Sequence, residues 1–191
     1  LVIDSVNGVE AQTRRLMEVC SMRDTPVIVF INKMDRDGKN RFDLLEELEN
    51  ELKISLHPMT WPINSGKEFK GVYNLHNKNL RLFAASTKAT EEDTVAIQDL
   101  SSTVLEEKIG EKDAAVLRED VELIDGVYGA LNPADYLAGK IAPVFFGSAV
   151  NNFGVKEMLD TFIQIAPVPR DRETSMRTLA VGEDKFSGFI F

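Results

Sequence analysis

A single cysteine, Cys20, stands among 191 residues, so the chain forms no internal disulfide and holds no cysteine-based metal site. Cys20 falls at an apolar position of a helical pattern and reads as core. Histidine is almost as scarce: His57 and His76 are each isolated from other ligand types, and read as structural or surface residues. No apolar run approaches the ~18 residues of a membrane span and no signal peptide opens the chain, which points to a cytoplasmic protein with no membrane partner. Positive charge is outnumbered, 22 Lys and Arg against 31 Asp and Glu for a net charge of −9, which argues against DNA, or RNA, held on a broad basic surface. The pattern Gly-x-x-x-x-Gly-Lys-Ser/Thr is missing as well. Gly38-Lys39, Gly66-Lys67 and Gly139-Lys140 each lack the upstream glycine and the following hydroxyl, so nothing in the sequence cradles a phosphate.

What is present is a chain that is 43% hydrophobic, enough to bury a core as one domain with an insertion or as one and a half domains. It opens on Leu1 rather than Met, on a strand-like LVID, as if cut from something longer. Val9, Leu16, Met17 and Cys20 then mark the inner face of an amphipathic helix. Residues 27 to 31, VIVFI, need no alternation if they lie in the middle of a parallel sheet. RFDLLEELENELK repeats the helical pattern with Phe42, Leu45, Leu48 and Leu52 inward, its carboxylates forming a solvated face. Far downstream, APVFF predicts another buried strand, followed by a Gly/Ser/Asn loop and a helix with the stripe Val155, Met158, Leu159, Phe162, Ile163 and Ala166. Strands alternating with helices imply an α/β doubly wound sheet.

Between these parts, residues 67 to 140 change character. KEFKGVYNLHNKNLRLF predicts short polar strands, the stretch from EEDTVAIQDLSS onward predicts surface helices, and Ala114, Leu117, Val121 and Ile124 are spaced to close this insert on a small core of its own. Lys67, Lys70, Lys78 and Arg81 form a modest basic cluster, read as a solvated face. After Ala166, PVPRDRETS reads as a linker and RTLAVGEDKFSGFIF as the start of a β-rich region.

The chemistry concentrates where VIVFI runs into Asn32-Lys33-Met34-Asp35. Ligands of open α/β sheets bind beyond the carboxyl ends of the strands. Guanine presents an N1 proton and a 2-amino group on one edge, and a carboxylate such as Asp35 accepts both. Adenine leaves the same carboxylate unpaired, and sites of this type discriminate by roughly 10⁴ to 10⁵. Asn32 can donate to the base N7 while its carbonyl ties neighbouring loops together, the Lys33 stem can lie over the base plane, and Met34 packs inward. The second strand ends in Gly147-Ser148-Ala149, where the Ala149 N–H can reach guanine O6 and Ser148 can brace the loop.

NKMD together with FGSA resembles the fourth and fifth guanine-nucleotide motifs of the translational GTPases. RDTPVIVFINKMDRDGKNRFDLLEELENELKI, TWPINSGKEFKGVYNL, APVFFGSAVNNFGVKEMLDTFIQIAPVPR and EDKFSGFIF are similar to the bacterial peptide chain release factor 3 family, the class II, GTP-binding release factors. The resemblance covers nearly the whole chain, with residues 87 to 135 the least distinctive. Trp61-Pro62-Ile63 and Asn152-Phe153-Gly154-Val155 favour that family over elongation factor G, which is similar in plan.

The resemblance implies the C-terminal portion of a P-loop GTPase doubly wound sheet, with an inserted α+β subdomain and the first strand of a β-barrel domain. In residue terms it implies a G domain over 1–66 and 141–169, an insert over 67–140, and a linker with the start of the barrel over 170–191. It implies GTP/GDP as ligand, read by Asn32, Lys33, Asp35, Ser148 and Ala149. Mg²⁺ would be bound by the intact protein through ligands absent here. The implied partners are the ribosome and class I peptide chain release factors, and the implied role is the recycling of those factors in translation termination.

The chain departs from the family pattern in lacking the phosphate loop, the switch threonine and an Asp-x-x-Gly followed by His. Asp35-Arg36-Asp37-Gly38 matches Asp-x-x-Gly only formally, since Asp35 belongs to the guanine motif. This segment is therefore expected to carry base recognition without hydrolysis, with no catalytic residue of its own. It is also expected to self-associate, through an apolar edge at Leu1-Val2-Ile3. The competing readings are an elongation factor G-like fragment and a non-catalytic module that docks on the ribosome or its factors.

Overall fold

The computed structural model describes residues 1–83, 94–169, 171–184, 186 and 188. From the N-terminus, β1 (Val2–Asp4) leads to α1 (Ala11–Met22), β2 (Val29–Asn32) to α2 (Arg41–Leu52), and β3 (Ser55–Pro58) passes through Met59 into β4 (Thr60–Ile63). Then come β5 (Gly71–Asn74), β6 (Asn79–Leu82) and β7 (Thr94–Ala96), followed by helices α3 (Thr103–Ile109), α4 (Glu111–Tyr128) and α5 (Pro133–Leu137). Next are β8 (Ile141–Phe146) and α6 (Val155–Ile165), and a two-residue-per-strand hairpin, β9 (Arg172–Glu173) with β10 (Thr178–Leu179), follows. The expected helical residues 91–93, linker residue 170, and residues 185, 187 and 189–191 of the expected barrel strand lie outside the described residues.

A parallel sheet in the order β1-β2-β8-β3 is the first layer. Its two central strands are covered on both faces, with Val29, Ile31, Val144, Phe145 and Phe146 fully buried, which is why their sequences run apolar without alternation. The ladder of β2 begins at Val29, paired with Val144, so the strand is shorter than the apolar run that predicts it. Asp4 pairs in register with Asn32, so β1 and β2 end at the same level.

The second layer is an antiparallel sheet in the order β4-β5-β6-β7. It takes its first strand from residues ahead of 67, because the chain switches sheets at Met59. The Met59 N–H donates to the Val144 carbonyl (2.8 Å), and the Phe146 N–H donates to the Thr60 hydroxyl (3.0 Å), so β8 holds both sides of the joint. Trp61, fully buried, lies against the rings of Phe42 and Phe146 and donates from Nε1 to Asp120 on α4 (2.8 Å).

Several expectations are corrected, the first being that Thr94–Ala96, expected in a surface helix, forms strand β7. Ala114, Leu117, Val121 and Ile124 are buried as predicted, but they share one continuous core with Ile31, Leu45, Trp61 and Leu80 instead of closing a separate one; the one-residue joint at Met59 leaves no space between the layers. On α1 the buried side chains are Thr13 and Met17, whereas Leu16 is 51% exposed. On α6 Val155 and Met158 pack against Phe30 and Phe145, while Leu159, Phe162 and Ile163 remain open. Arg81 also leaves the basic cluster: it is buried and ion-paired to Glu157 of α6 (2.8 Å), while Lys70 pairs with Asp113.

Candidate functional site

The carboxyl ends of β1, β2 and β8 meet at one edge of the first sheet, and three loops are laced together there. β2 ends at half-buried Asn32, whose Oδ1 accepts from the N–H of Lys33 (2.8 Å) and from the N–H of Ala149 beyond β8 (2.9 Å). Both bonds occupy the acceptor of the amide, so what the side chain still offers is its Nδ2 donor. The Ala149 N–H, expected to face the base carbonyl, is instead held by Asn32.

Lys33 follows in the left-handed region, at φ 69°. Its ammonium is ion-paired with Asp4 at the end of β1 rather than standing free over a base plane. Burial pushes the Asp4 carboxyl up, but the Lys33 ammonium and the backbone N–H groups of Val6 and Asn7 outweigh it and hold Asp4 below the ordinary carboxylate range.

Met34 is buried, and its backbone is used on both sides. Its N–H donates to the Gly147 carbonyl (3.0 Å) and its carbonyl accepts from Gly66 (2.9 Å). Asp35 is half-buried; its Oδ1 is buried and has no hydrogen-bond partner. A carboxylate oxygen removed from water without a donor is expensive. Few such atoms occur among the described residues, the others being Arg81 Nε and Glu157 Oε2.

On the β8 side, Gly147 donates to the Ile31 carbonyl (2.9 Å). A Cβ on Gly147 would stand 2.2 Å from the Phe153 carbonyl oxygen and 2.7 Å from the Phe30 ring, so only glycine fits. Ser148 is fully buried, exchanges two backbone bonds with Phe153 (3.0 Å each), and accepts from Asn151 Nδ2 at its hydroxyl (2.8 Å). All five sequence-predicted residues, Asn32, Lys33, Asp35, Ser148 and Ala149, therefore lie on these adjoining loops.

The residues that sequence reasoning missed are Asp4, Ser5 and Gly66, which hold the loop from outside its motif. LVID ends in Asp4 and Ser5 follows it, at a strand end where sites gather, but what brings them to this loop is the register that pairs Asp4 with Asn32. A cleft of about 640 Å³ lies elsewhere, between α6, the end of α4 and the β5–β6 turn, and none of the strand-end residues lines it. The strand-end site is an open shelf beside a shallow polar cleft of about 550 Å³ lined by Asp37, Lys39, Arg41, Asn64 and Lys67.

Comparison with known proteins agrees with this fold. A crystal structure of a protein from Thermus thermophilus superposes with a TM-score of 0.60 at 17% identity, over 87% of this chain and 26% of that one. The likeness is one of fold, and this chain spans about a quarter of the length of that protein. The family model described as the elongation factor Tu GTP binding domain matches residues 1–168. With the sheet, the two strand-end loops and that match in agreement, the chain belongs to the elongation factor Tu GTP-binding domain family.

Proposed function

We propose that this chain is the base-reading part of a translational GTPase: it recognises the guanine of GTP or GDP, and the intact protein hydrolyses GTP. The observation that carries the reading is the Asp35 carboxylate, presented on a loop fixed from three sides with one buried oxygen lacking a donor. Guanine N1–H and the 2-amino group are donors of the kind the half-buried Asp35 carboxylate takes, and the Nδ2 group of Asn32 matches the acceptor at N7. Among the described residues no three His, Cys, Asp or Glu side chains converge on a metal position.

Within the family, the quoted sequence stretches support bacterial peptide chain release factor 3, acting on the ribosome in the cytoplasm to promote recycling of class I release factors. No helix among the described residues is long and apolar enough to cross a membrane. The open apolar flank supports a further part of the reading. Val2 is 65% and Ile163 77% exposed, and β1 presents an unpaired edge, the surface on which a phosphate-binding half of the same sheet would pack.

One experiment tests both levels, using the complete gene product that includes this chain. Asp35→Asn is expected to weaken GTP by several kcal/mol and to make xanthosine triphosphate the better ligand, because xanthine carries a carbonyl where guanine has its amine. Release of a class I factor from termination complexes should then depend on xanthosine triphosphate. If the variant keeps the wild-type preference for GTP, Asp35 does not read the base; if the preference switches without factor release, the protein is another member of the family.

A further inference from the structure

The base-reading residues sit on a loop whose shape they do not determine themselves. Lys33, with φ 69°, is a non-glycine residue in a conformation disfavoured by its Cβ. The Lys33 carbonyl closes a turn by accepting from the Arg36 N–H (2.9 Å), so Asp35 rides inside that turn. One residue from another strand reaches this turn at several points. Ser5, 3% exposed at the end of β1, donates from its N–H to the Asn32 carbonyl (3.0 Å) and from its hydroxyl to the Lys33 carbonyl (3.1 Å), and its own carbonyl accepts from the Lys39 N–H (2.9 Å). The returning loop comes so close that a Cβ on Gly38 would stand 2.7 Å from the Ser5 carbonyl oxygen.

We propose that Ser5 is a positioning residue for guanine recognition: its hydroxyl fixes the Lys33 carbonyl, and with it the turn that aims the Asp35 carboxylate. The proposal rests on the base-reading assignment made above. Two of the three contacts of Ser5 use backbone atoms and survive any side-chain change. The hydroxyl is therefore a separable element. Without it the turn keeps its Arg36 bond but loses the brace from β1, and the Asp35 oxygens no longer meet both donors of the guanine edge at once.

The test uses the complete gene product and two nucleotides, GDP and inosine diphosphate. Inosine lacks the 2-amino group, so the ratio of the two affinities reads how well Asp35 registers with that group and is insensitive to overall folding. Ser5→Ala is expected to lower the preference for GDP about three- to tenfold, the worth of one misplaced hydrogen bond, with inosine diphosphate affinity and thermal midpoint nearly unchanged. Ser5→Thr, which keeps the hydroxyl, is expected to restore the ratio. A Ser5→Ala ratio within about twofold of wild type overturns the proposal, whether or not stability falls. Asp35→Asn separates this outcome from failure of the underlying reading. If that variant turns toward xanthosine diphosphate while Ser5→Ala leaves the ratio intact, only the role of Ser5 fails; if Asp35→Asn leaves the base preference unchanged, the base-reading assignment itself falls.

Discussion

The carboxyl end of the parallel sheet and its β1–α6 flank belong to the same layer but are finished in opposite ways. At the strand ends, Asn32, Met34, Gly147 and Ser5 exchange backbone and side-chain hydrogen bonds between loops distant in sequence. On the flank, Val2 of β1 and Phe162 and Ile163 of α6 turn apolar side chains to water. A hydrogen-bonded end has one arrangement that satisfies its donors and acceptors, whereas an apolar face accepts whatever apolar surface covers it. Geometry at the first is therefore the property to perturb, and coverage at the second.

The largest effect is expected from breaking the laced end. Gly147→Ala pushes a methyl into the Phe153 carbonyl, 2.2 Å from the Cβ position, with backbone on that side unable to yield. Chemical denaturation should show a loss of about 1–3 kcal/mol or more; a loss under ~0.5 kcal/mol would mean that the loop is looser than its contacts indicate. A smaller stability effect is expected from the flank. Val2→Thr with Ile163→Ser replaces two exposed apolar side chains, 65% and 77% open, and should shift unfolding by no more than ~0.5 kcal/mol. Sedimentation of the bare chain should nevertheless move from self-associated toward monomeric. An unaltered association state would show that this face is not the one through which copies meet.

The smallest effect lies at the β3 edge, outside both regions. Burial, and then the neighbouring His76, lower the affinity of His57 for its proton below the ordinary value of 6.5, against an opposing contribution from the Tyr128 backbone. An unfolded chain then binds a proton that the folded chain refuses. The stability contribution is present above pH about 6.5 and is lost as pH falls through that value toward the folded one. Unfolding midpoints at pH 7.5 and 5.5 should differ less in His57→Gln than in wild type; an identical difference would remove His57 from the pH response.

Much of this architecture is legible in the sequence, and the exceptions have physical causes. VIVFI and APVFF reveal β2 and β8 because strands covered on both faces carry no polar alternation. SLHP and TWPI hide β3 and β4, since Pro58 and Pro62 look like chain breakers. Both strands lie at the edge of their sheets, where proline is tolerated. The stripe of α6 predicts the helix but not which part of it is covered, because periodicity records a face and not what packs on it. At the site, Asn32, Lys33, Asp35, Ser148 and Ala149 are visible because two motifs name them. Asp4 and Ser5 are not, because their role comes from the register that pairs Asp4 with Asn32.

The position of β8 also imposes a timetable. It lies between β2 and β3, yet it is synthesised after the whole second layer. At ~5–20 residues per second, roughly ten seconds separate the emergence of β3 from that of the strand that joins it to β2. Through that interval the nascent chain carries two apolar strands with no central neighbour, and the partner that protects them is still inside the ribosome that is making it.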